Sequence, residues 1–328
     1  MKTPVVHLLT LALGFMLSTQ GCQESISPRF DPYPTGLGAP IAFRALAFSH
    51  PDTGYAVGGY RFESTVLLRT TDGGATWEPE LTPEPVDRVM YCAWAESEGP
   101  ILAGGNHDQW LRRGGDGLWQ PTFAFFGYPW VPLRAVARRD DSTLMAVAGV
   151  GYDQGLLIQG TNEGGQWQLV DSFDLELRDI HFTSPQVGFM AGFGVVYKTT
   201  DGGATWEFTP AENDFFVSLA FVSEQVGYVV GRAGSILQTT DAGQTWQVLR
   251  DGNRLWLPRH RYHKIRFWDQ QTGYLVGDRG LMLRTQDGGE TWQRVALPTE
   301  ADIYDLYLYG PNQGYLAGSE GLLARFEG

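Results

Sequence analysis

Arginine recurs at one position of an internal repeat of this chain, and that recurrence is its strongest chemical signal. Aligned on the phrase described below, the first residues of one strand in successive repeats are Arg44, Arg88, Arg134, Arg178, Val217, His263 and Tyr304. The chain has 24 lysines and arginines among 328 residues, so chance would place fewer than one at seven given positions. A guanidinium group binds both oxygens of a carboxylate and keeps its charge when partly desolvated. The pattern therefore predicts a binding surface for an anionic group, such as a peptide C-terminus or an acidic segment.

A structural role for the same arginines is the alternative. Each of them could pair with an acidic neighbour, such as Asp87 or Asp179, and so hold adjacent repeats in register. The chain as a whole is acidic, with a formal net charge of −13 and a pI near 4.9. The arginine cluster is therefore a local property, and the acidic composition argues against nucleic-acid binding.

Two long connections are predicted on the same face as the arginines. One is aromatic and carries Tyr128 and Trp130, and the other is basic and carries Arg259, Arg261 and His263. Aromatic residues and arginine are the usual anchors of protein interfaces. We expect these residues to take part in partner binding.

The repeat is defined by a phrase that runs from Thr to Trp. It reads TTDGGATW at 70–77 and 199–206, TTDAGQTW at 239–246 and TQDGGETW at 285–292. An Asp at a tight turn accepts hydrogen bonds from the N–H groups that follow it, Gly supplies a positive φ, and Trp is a large apolar anchor. We expect a structural rather than catalytic role for the residues Asp72, Trp77, Asp201, Trp206, Asp241, Trp246, Asp287 and Trp292.

Three further strand signals precede each phrase, most clearly in residues 217–239. Four short strands per repeat form one blade of a β-propeller. Degenerate copies end at Trp119 and Trp167, and an incomplete copy at 303–326 is the seventh. That copy lacks its outer strand, and the segment near 30–36 is expected to supply it, because a closed ring leaves no open edge. The sequence thus predicts an all-β fold, a seven-bladed β-propeller of four-stranded blades whose ring is closed by an N-terminal strand.

The propeller is predicted to occupy residues 43–328 as one domain, after a tether and closing strand at 23–42. Residues 1–22 combine Lys2, an apolar run and a terminal Gly-Cys pair, which is typical of an export signal. The end of this segment is similar to a bacterial lipoprotein signal, in which the Cys, here Cys22, becomes lipid-modified. We expect a lipid anchor on the outer side of a bacterial membrane, and cleavage with secretion is the alternative.

Cysteine and histidine usage predicts neither a metal nor a cofactor. The other of the two cysteines, Cys92, aligns with Phe48, Phe182 and Phe221 of other repeats, so it is expected to be a buried apolar residue. The six histidines show no metal-ligand spacing. The glycine-rich stretches lie in β turns rather than before a helix, so they do not predict a phosphate loop.

The phrase resembles the repeats of sialidases, sortilin-like receptors, xyloglucanases and the photosystem II assembly and stability factors. The additional GYxVG strand, followed by a short turn and a hydrophobic pair before TTDGG, is most similar to the last of these families from about residue 43 onward. The resemblance implies an exported propeller that assembles photosystem II without catalysis. It also implies that an arginine patch binds an early reaction-centre subunit.

A glycoside hydrolase is the alternative that the same phrase leaves open. Arg44, Arg88 and Arg134 could imitate the carboxylate clamp of a sialidase, although the residues after Arg44 depart from the sialidase pattern. A xyloglucanase-like enzyme would need two carboxylates across a cleft, and the sequence assigns no such pair. The favoured prediction is a non-enzymatic scaffold in the cell envelope that binds a protein segment on its arginine-lined face.

Overall fold

The computed structural model describes residues 27–33, 41–60, 64–82, 89–97, 99–106, 109–123, 130–254 and 260–328. Within these ranges the chain forms strands and turns, and no helix is long and apolar enough to cross a bilayer. The strands are β1 (Arg29–Pro32), β2 (Ile41–His50), β3 (Thr53–Tyr60), β4 (Ser64–Thr70), β5 (Glu78–Pro79), β6 (Met90–Ala95), β7 (Ile101–Gly105), β8 (Gln109–Arg113), β9 (Trp119–Phe123), β10 (Leu133–Asp140), β11 (Thr143–Val150), β12 (Gln154–Thr161), β13 (Gln166–Phe173), β14 (Leu177–Phe182), β15 (Gly188–Thr199), β16 (Glu207–Phe221), β17 (Gly227–Gly231), β18 (Ile236–Thr239), β19 (Gln247–Arg250), β20 (Tyr262–Phe267), β21 (Gly273–Gly277), β22 (Met282–Thr285), β23 (Gln293–Arg294), β24 (Ile303–Gly310), β25 (Gln313–Gly318) and β26 (Leu323–Glu327).

The strands form antiparallel sheets whose members follow one another along the chain. Four sheets contain four consecutive strands each, namely β2 to β5, β6 to β9, β10 to β13 and β20 to β23. Strands β14 to β19 form one six-stranded sheet, because the long strand β16 pairs with β15 at its start and with β17 at its end. The described chain is therefore an all-β propeller built from four-stranded blades.

The last sheet joins the two ends of the described chain. Strand β1 pairs with β26, so that Phe30 lies opposite Phe326 in a sheet ordered β1, β26, β25, β24. The N–H of Tyr33 extends the pairing by donating to the carbonyl of Leu323 at 2.7 Å. The predicted segment near 30–36 thus supplies a strand at 29–32 that covers an otherwise open edge, and residues 34–36 lie outside the described part.

Apolar side chains fill the spaces between neighbouring sheets. Where the first sheet meets the last, Phe43, Leu46 and Trp77 pack against Tyr315 and Leu323. One strand of each repeat lies innermost, and each innermost strand contacts the next around a ring. The strands in this ring are β2, β6, β10, β14, β16, β20 and β24, and β24 contacts β2.

Each full copy of the repeat phrase forms a turn held by its own hydrogen bonds. The Thr199 hydroxyl donates to the Asp201 carboxylate and accepts the N–H of Gly203, both at 2.8 Å. The same carboxylate accepts the N–H and the hydroxyl of Thr205 at 2.9 and 2.6 Å, and these bonds lower the pKa of Asp201 to about 2. The corresponding bonds to Thr side chains and N–H groups recur at Asp72, Asp241 and Asp287.

Aromatic residues attach these turns to their own sheet and to the next one. Trp206 packs edge-on against Phe182, with ring centroids 6.2 Å apart. The Tyr228 hydroxyl donates to the carbonyl of Gly288 in the turn of the following sheet. The turns of the phrase therefore connect blades at the end of the propeller opposite the arginines.

A β-bulge recurs in every innermost strand, near the start of six of them and at Val217 in the long strand β16. Phe43 lies opposite Gly58 and Ala45 opposite Val57, so Arg44 is an extra residue in the register. Phe43 and Ala45 belong to apolar layers on opposite faces of the sheet, and Arg44 between them points along the sheet toward the central channel. The same shift falls at Arg44, Tyr91, Arg134, Arg178, Val217, His263 and Tyr304.

The second repeat corrects our sequence alignment. We aligned Cys92 with Phe48 and therefore Arg88 with Arg44, but Tyr91 occupies the bulge and Cys92 follows it directly. The alignment of Arg88 with the other arginines was wrong. Arg88 itself lies outside the described residues.

The missing aromatic residue in β6 explains that error. Phe48 and its counterparts lie opposite a Gly such as Gly54, whereas the equivalent pair in the second repeat is Ala95 and Ile101. Cys92 is nevertheless buried, as we expected, and burial raises the pKa of its thiol to about 12.

The turn of the phrase can be tested at Thr199, which is 1% exposed. Thr199→Val keeps the shape of the side chain but leaves the N–H of Gly203 without an acceptor. We expect the free energy of unfolding in urea to fall by about 1–3 kcal/mol. The matched control Thr209→Val, on β16 of the same sheet, should change it by less than about 0.5 kcal/mol. Equal effects of the two exchanges would contradict a specific role of the Thr199 hydroxyl.

Candidate functional site

A cavity of about 620 Å³ opens at the bulge end of the channel, and the bulge residues form its rim. All seven of them line it, namely Arg44, Tyr91, Arg134, Arg178, Val217, His263 and Tyr304. Of the residues proposed from sequence, Arg44, Arg134, Arg178 and His263 are thus brought together. The bulge is what places them on a common rim.

One buried carboxylate holds two of these arginines. Glu176 Oε1 lies 2.6 Å from Arg178 Nη2 and accepts a hydrogen bond from Arg134 Nη2 at 3.4 Å. Its Oε2 accepts the N–H of Tyr152 at 3.0 Å, and Arg134 Nε donates to the carbonyl of Gly149 at 3.0 Å. Glu176 is only 2% exposed, so loss of this carboxylate would leave two guanidinium groups poorly compensated.

The rim carries more positive than negative charge. Arg232, in the turn after β17, joins Arg44, Arg134 and Arg178 around the cavity. Among the residues that the structure describes, Glu176 is the one carboxylate within ion-pair distance of any of these four groups. Burial, together with the neighbouring arginines, lowers the pKa of Arg134 to about 10 and that of Arg178 to about 9. An anionic ligand would relieve this repulsion.

Aromatic rings support the guanidinium groups without neutralising them. Arg44 lies 4.1 Å from the ring centroid of Tyr304, and Arg178 and Arg232 lie 4.6 and 5.6 Å from that of Phe215. The Nε atoms of Arg44 and Arg178 are buried and have no hydrogen-bond partner in the described part of the chain. Cation–π contacts orient these side chains, and no carboxylate among the described residues pairs with Arg44 or Arg232.

A second charged cluster lies next to the rim on the inner strands. Lys264 Nζ lies 3.2 Å from Asp179 Oδ2. Burial opposes ionisation of this carboxyl, but Lys264 and Arg266 hold its pKa below the ordinary value. We had considered Asp179 as a partner of the rim arginines; it pairs with Lys264 instead, and Arg178 pairs with Glu176.

His263 and Arg261 share one carboxylate but face different recesses. His263 Nε2 lies 2.6 Å from Asp278 Oδ1, and Arg261 Nε lies 3.9 Å from Asp278 Oδ2. The hydrogen bond from His263 lowers the pKa of Asp278. His263 lines the central cavity, whereas Arg261 lines a groove of about 420 Å³ together with His260 and Arg279.

The remaining predicted residues do not belong to the described rim. Trp130 is 75% exposed and is not part of the cavity lining. Tyr128, Arg259 and Cys22 lie outside the described residues, and their roles stay predictions. No group of three or more His, Cys, Asp and Glu that could hold a metal occurs in the part of the chain that the structure describes.

Sequence reasoning missed Glu176 and Arg232 because neither falls at the aligned strand position. Arg232 could have been predicted from a second position that recurs in the repeats. The residue after the Gly-aromatic-x-x-Gly motif is Phe193, Arg232 and Asp278 in successive repeats. Each of these residues contacts the rim or its neighbours. Glu176 left no comparable periodic signal, since its role depends on two strands that are distant in sequence.

The shared carboxylate can be tested with Glu176→Gln, which keeps the shape but removes the charge. We expect the free energy of unfolding in urea to fall by about 3–5 kcal/mol, because two buried guanidinium groups lose their counter-charge. The control is Glu163→Gln, since Glu163 pairs with Arg112 but its side chain is 61% exposed. That exchange should cost no more than about 1 kcal/mol. Similar losses in both variants would contradict the assignment of Glu176.

The pH dependence of stability can be tested at His181, which stacks on Phe221 with ring centroids 5.6 Å apart. Burial lowers its pKa to about 4 from 6.5. Between these values the unfolded chain binds a proton that the folded chain does not, so stability falls as the pH falls. We expect the difference in unfolding free energy between the wild type and His181→Gln to change by about 3 kcal/mol between pH 7 and pH 4. Parallel pH profiles would show that His181 is not a buried neutral imidazole.

One sequence family matches the second half of the chain. The sequence profile described as photosynthesis system II assembly factor YCF48 matches residues 159–256, 210–302 and 259–327. The photosystem II assembly lipoprotein Ycf48 of Synechococcus sp. (strain CC9902) is 31% identical over 117 residues. This alignment covers 32% of the chain and 34% of that relative, so it spans about a third of the relative's length.

Solved structures share the fold across nearly the whole chain. A structure described as YCF48 bound to D1 peptide has a TM-score of 0.70 at 20% identity and covers 93% of this chain and 96% of its own. Virginiamycin B lyase from Staphylococcus aureus has a TM-score of 0.73 at 10% identity and covers 92% of this chain and 99% of its own. Such likenesses show the propeller fold alone, which hosts different functions. The profile, however, spans more than half of the 328 residues, and the chain therefore belongs to the Ycf48 family of photosystem II assembly factors.

Proposed function

We propose that this protein is a non-enzymatic assembly factor that binds an anionic segment of a protein partner at the arginine rim. The observation that carries the proposal is the charge imbalance at the rim. Arg44, Arg134, Arg178 and Arg232 surround the cavity, and Glu176 is the one described carboxylate that pairs with any of them. A carboxylate of the partner would supply a second counter-charge through charge-assisted hydrogen bonds of about 1.5–3 kcal/mol each.

The names of the relatives support the choice of partner. One relative is a photosystem II assembly lipoprotein, and one structural neighbour was solved with a D1 peptide bound. By analogy, the partner of this chain is a carboxylate-bearing tail or segment of a membrane protein, and in a phototrophic source a photosystem II precursor. His263 would contribute at the rim itself, and further contacts with the partner are proposed away from the rim for Tyr128, Trp130, Arg259 and Arg261.

We infer that the ring has seven blades, because seven innermost strands and seven bulges support that count. The six-stranded sheet then comprises two blades that share the long strand β16. Gly194 has φ of +67° and separates the part of β15 that pairs with β14 from the part that pairs with β16. Strand β1 completes the last blade.

We also propose that the protein is exported and anchored by a lipid at Cys22, with secretion after cleavage as the alternative. Residues 1–22 would be the signal, 23–42 the tether and closing strand, and 43–328 the propeller. The lipoprotein name of the Synechococcus relative supports this arrangement. The anchor would hold the arginine rim close to membrane-protein partners.

Binding rather than hydrolysis is proposed because the carboxylates of the cavity have structural partners. A glycosidase needs two carboxylates, one of which has a raised pKa. Here Asp179 accepts the N–H of Leu219 at 3.1 Å, and Asp305 accepts the N–H of Leu46 at 2.9 Å. The pKa of Asp179 is lowered, which is opposite to what a general acid requires.

The double variant Arg44→Ala with Arg232→Ala tests the proposal, because neither residue belongs to an ion pair among the described residues. Pull-down from the native envelope should recover a membrane partner with the wild type and lose it with the variant. We expect at least about tenfold weaker binding for each arginine removed. Binding by the wild type should also weaken as ionic strength rises.

The control for each of the two single arginine exchanges is Arg112→Ala, which removes one positive charge at the opposite end, where Arg112 pairs with Glu163. This variant should retain the partner. Unchanged recovery by a correctly folded double variant would overturn the proposal. Hydrolysis of sialosides or β-glucans by the wild type would favour the glycosidase alternative.

A further inference from the structure

An aromatic cluster adjoins the arginine rim, and part of it is exposed. The rings of Tyr152, Phe193 and Phe215 lie with centroids 5.1, 5.5 and 5.8 Å apart. Phe215 is 8% exposed, whereas Tyr152 is 55% and Phe193 is 41% exposed. We call these three residues the aromatic shelf. Two of its rings therefore present apolar surface to a ligand.

The shelf is connected to the arginines through Glu176. The carboxylate that holds Arg178 also accepts the N–H of Tyr152, and the Glu176 carbonyl accepts the N–H of Phe193 at 2.9 Å. Phe215 then lies 4.6 Å from the Arg178 guanidinium group. One buried residue thus positions both the shelf and a charged group of the rim.

The backbone of Tyr152 is unusual for an exposed aromatic residue. Its φ is +70°, in the left-handed region where glycine and asparagine are preferred. Residues held in this region are enriched at ligand sites, where the surrounding structure enforces them. Here the hydrogen bond to Glu176 enforces the conformation and keeps the ring at the surface.

We propose that the aromatic shelf binds a large apolar side chain of the same peptide whose carboxylate binds the arginine rim. This inference rests on the proposed function and specifies its ligand. Phe215 contacts Tyr152 and Phe193 at 5.5 and 5.8 Å and Arg178 at 4.6 Å, so it bridges the two subsites. An extended peptide advances about 3.3 Å per residue, and alternate side chains face the same side. The preferred ligand therefore carries an aromatic or large aliphatic residue about two positions from a carboxylate.

Fluorescence anisotropy with designed peptide probes tests this pairing. The reference probe is a fluorescein-labelled, C-terminally amidated decapeptide of Gly and Ser that contains Phe-Ser-Asp. Two matched probes replace its Phe by Ser or its Asp by Asn, and a third replaces the Asp by a free terminal carboxylate. We expect the reference probe to bind at least about tenfold more tightly than either of the first two. The third probe shows whether a terminal carboxylate can serve as well as a side-chain carboxylate.

Variants of the shelf residues test whether the shelf is where the Phe of the probe binds. Tyr152→Asn removes the ring but tolerates the positive φ and keeps the N–H that binds Glu176, and Phe193→Ser removes the second exposed ring. Each should weaken the Phe-containing probe about tenfold and leave the Ser-containing probe unchanged. The control is Phe208→Ser, since Phe208 is a 53% exposed aromatic residue on the outer part of β16. It should change neither probe.

Two different failures can be told apart. If Tyr152→Asn weakens the two probes equally, or neither, while Arg232→Ala still removes the preference for Asp over Asn, the shelf is not a subsite and the anion site stands. If no probe binds better for having a carboxylate, the proposed function itself fails.

Discussion

The β-bulge in each innermost strand is the constraint on which the rest of this structure depends. In a regular strand, successive side chains face the two apolar layers on either side of a blade. The bulge places Phe43 and Ala45 in different layers and turns Arg44 toward the axis. Because the bulge repeats around the ring, the residue at this position of every repeat lines the channel while the packing between blades stays apolar.

Charge around the rim is distributed unequally. The buried carboxylate of Glu176 is shared by Arg134 and Arg178, and Arg44 and Arg232 rest on aromatic rings instead of counter-charges. Such an arrangement adds little net stability, because burial costs the guanidinium groups much of what the ion pair returns. Its effect is geometric, because the guanidinium N–H donors are held apart in fixed orientations before a ligand binds.

The opposite end of the propeller shows the contrasting case. At the turns of the repeat phrase, each Asp carboxylate accepts bonds from the Thr residues of its own turn, as Asp201 does from Thr205. Little hydrogen-bonding capacity is left for a ligand there. The two ends therefore differ in their charged groups: the Asp carboxylates of the phrase are bonded within their own turns, whereas Arg44 and Arg232 of the rim have no ion-pair partner among the described residues.

Most of the architecture could be predicted from local pattern, but the site only in part. The phrase around Asp201 and Trp206 folds through hydrogen bonds between residues that are close in sequence. The strands, the turns and the length of the repeat could therefore be predicted. The arginines at 44, 134 and 178 were found by counting from it, but the second repeat was misaligned because Ala95 replaces the aromatic landmark.

Three features depend on contacts between segments that are distant in sequence, and no local sequence pattern predicts them. The sharing of Glu176 by two arginines joins separate blades, and so does the pairing of Lys264 with Asp179. The aromatic shelf likewise combines Tyr152 from a turn with Phe193 of β15 and Phe215 of β16. The sequence by itself determined the repeat and the type of charge it carries. Only the tertiary structure decided which charges are neutralised, because ring closure brings together side chains that the sequence keeps far apart.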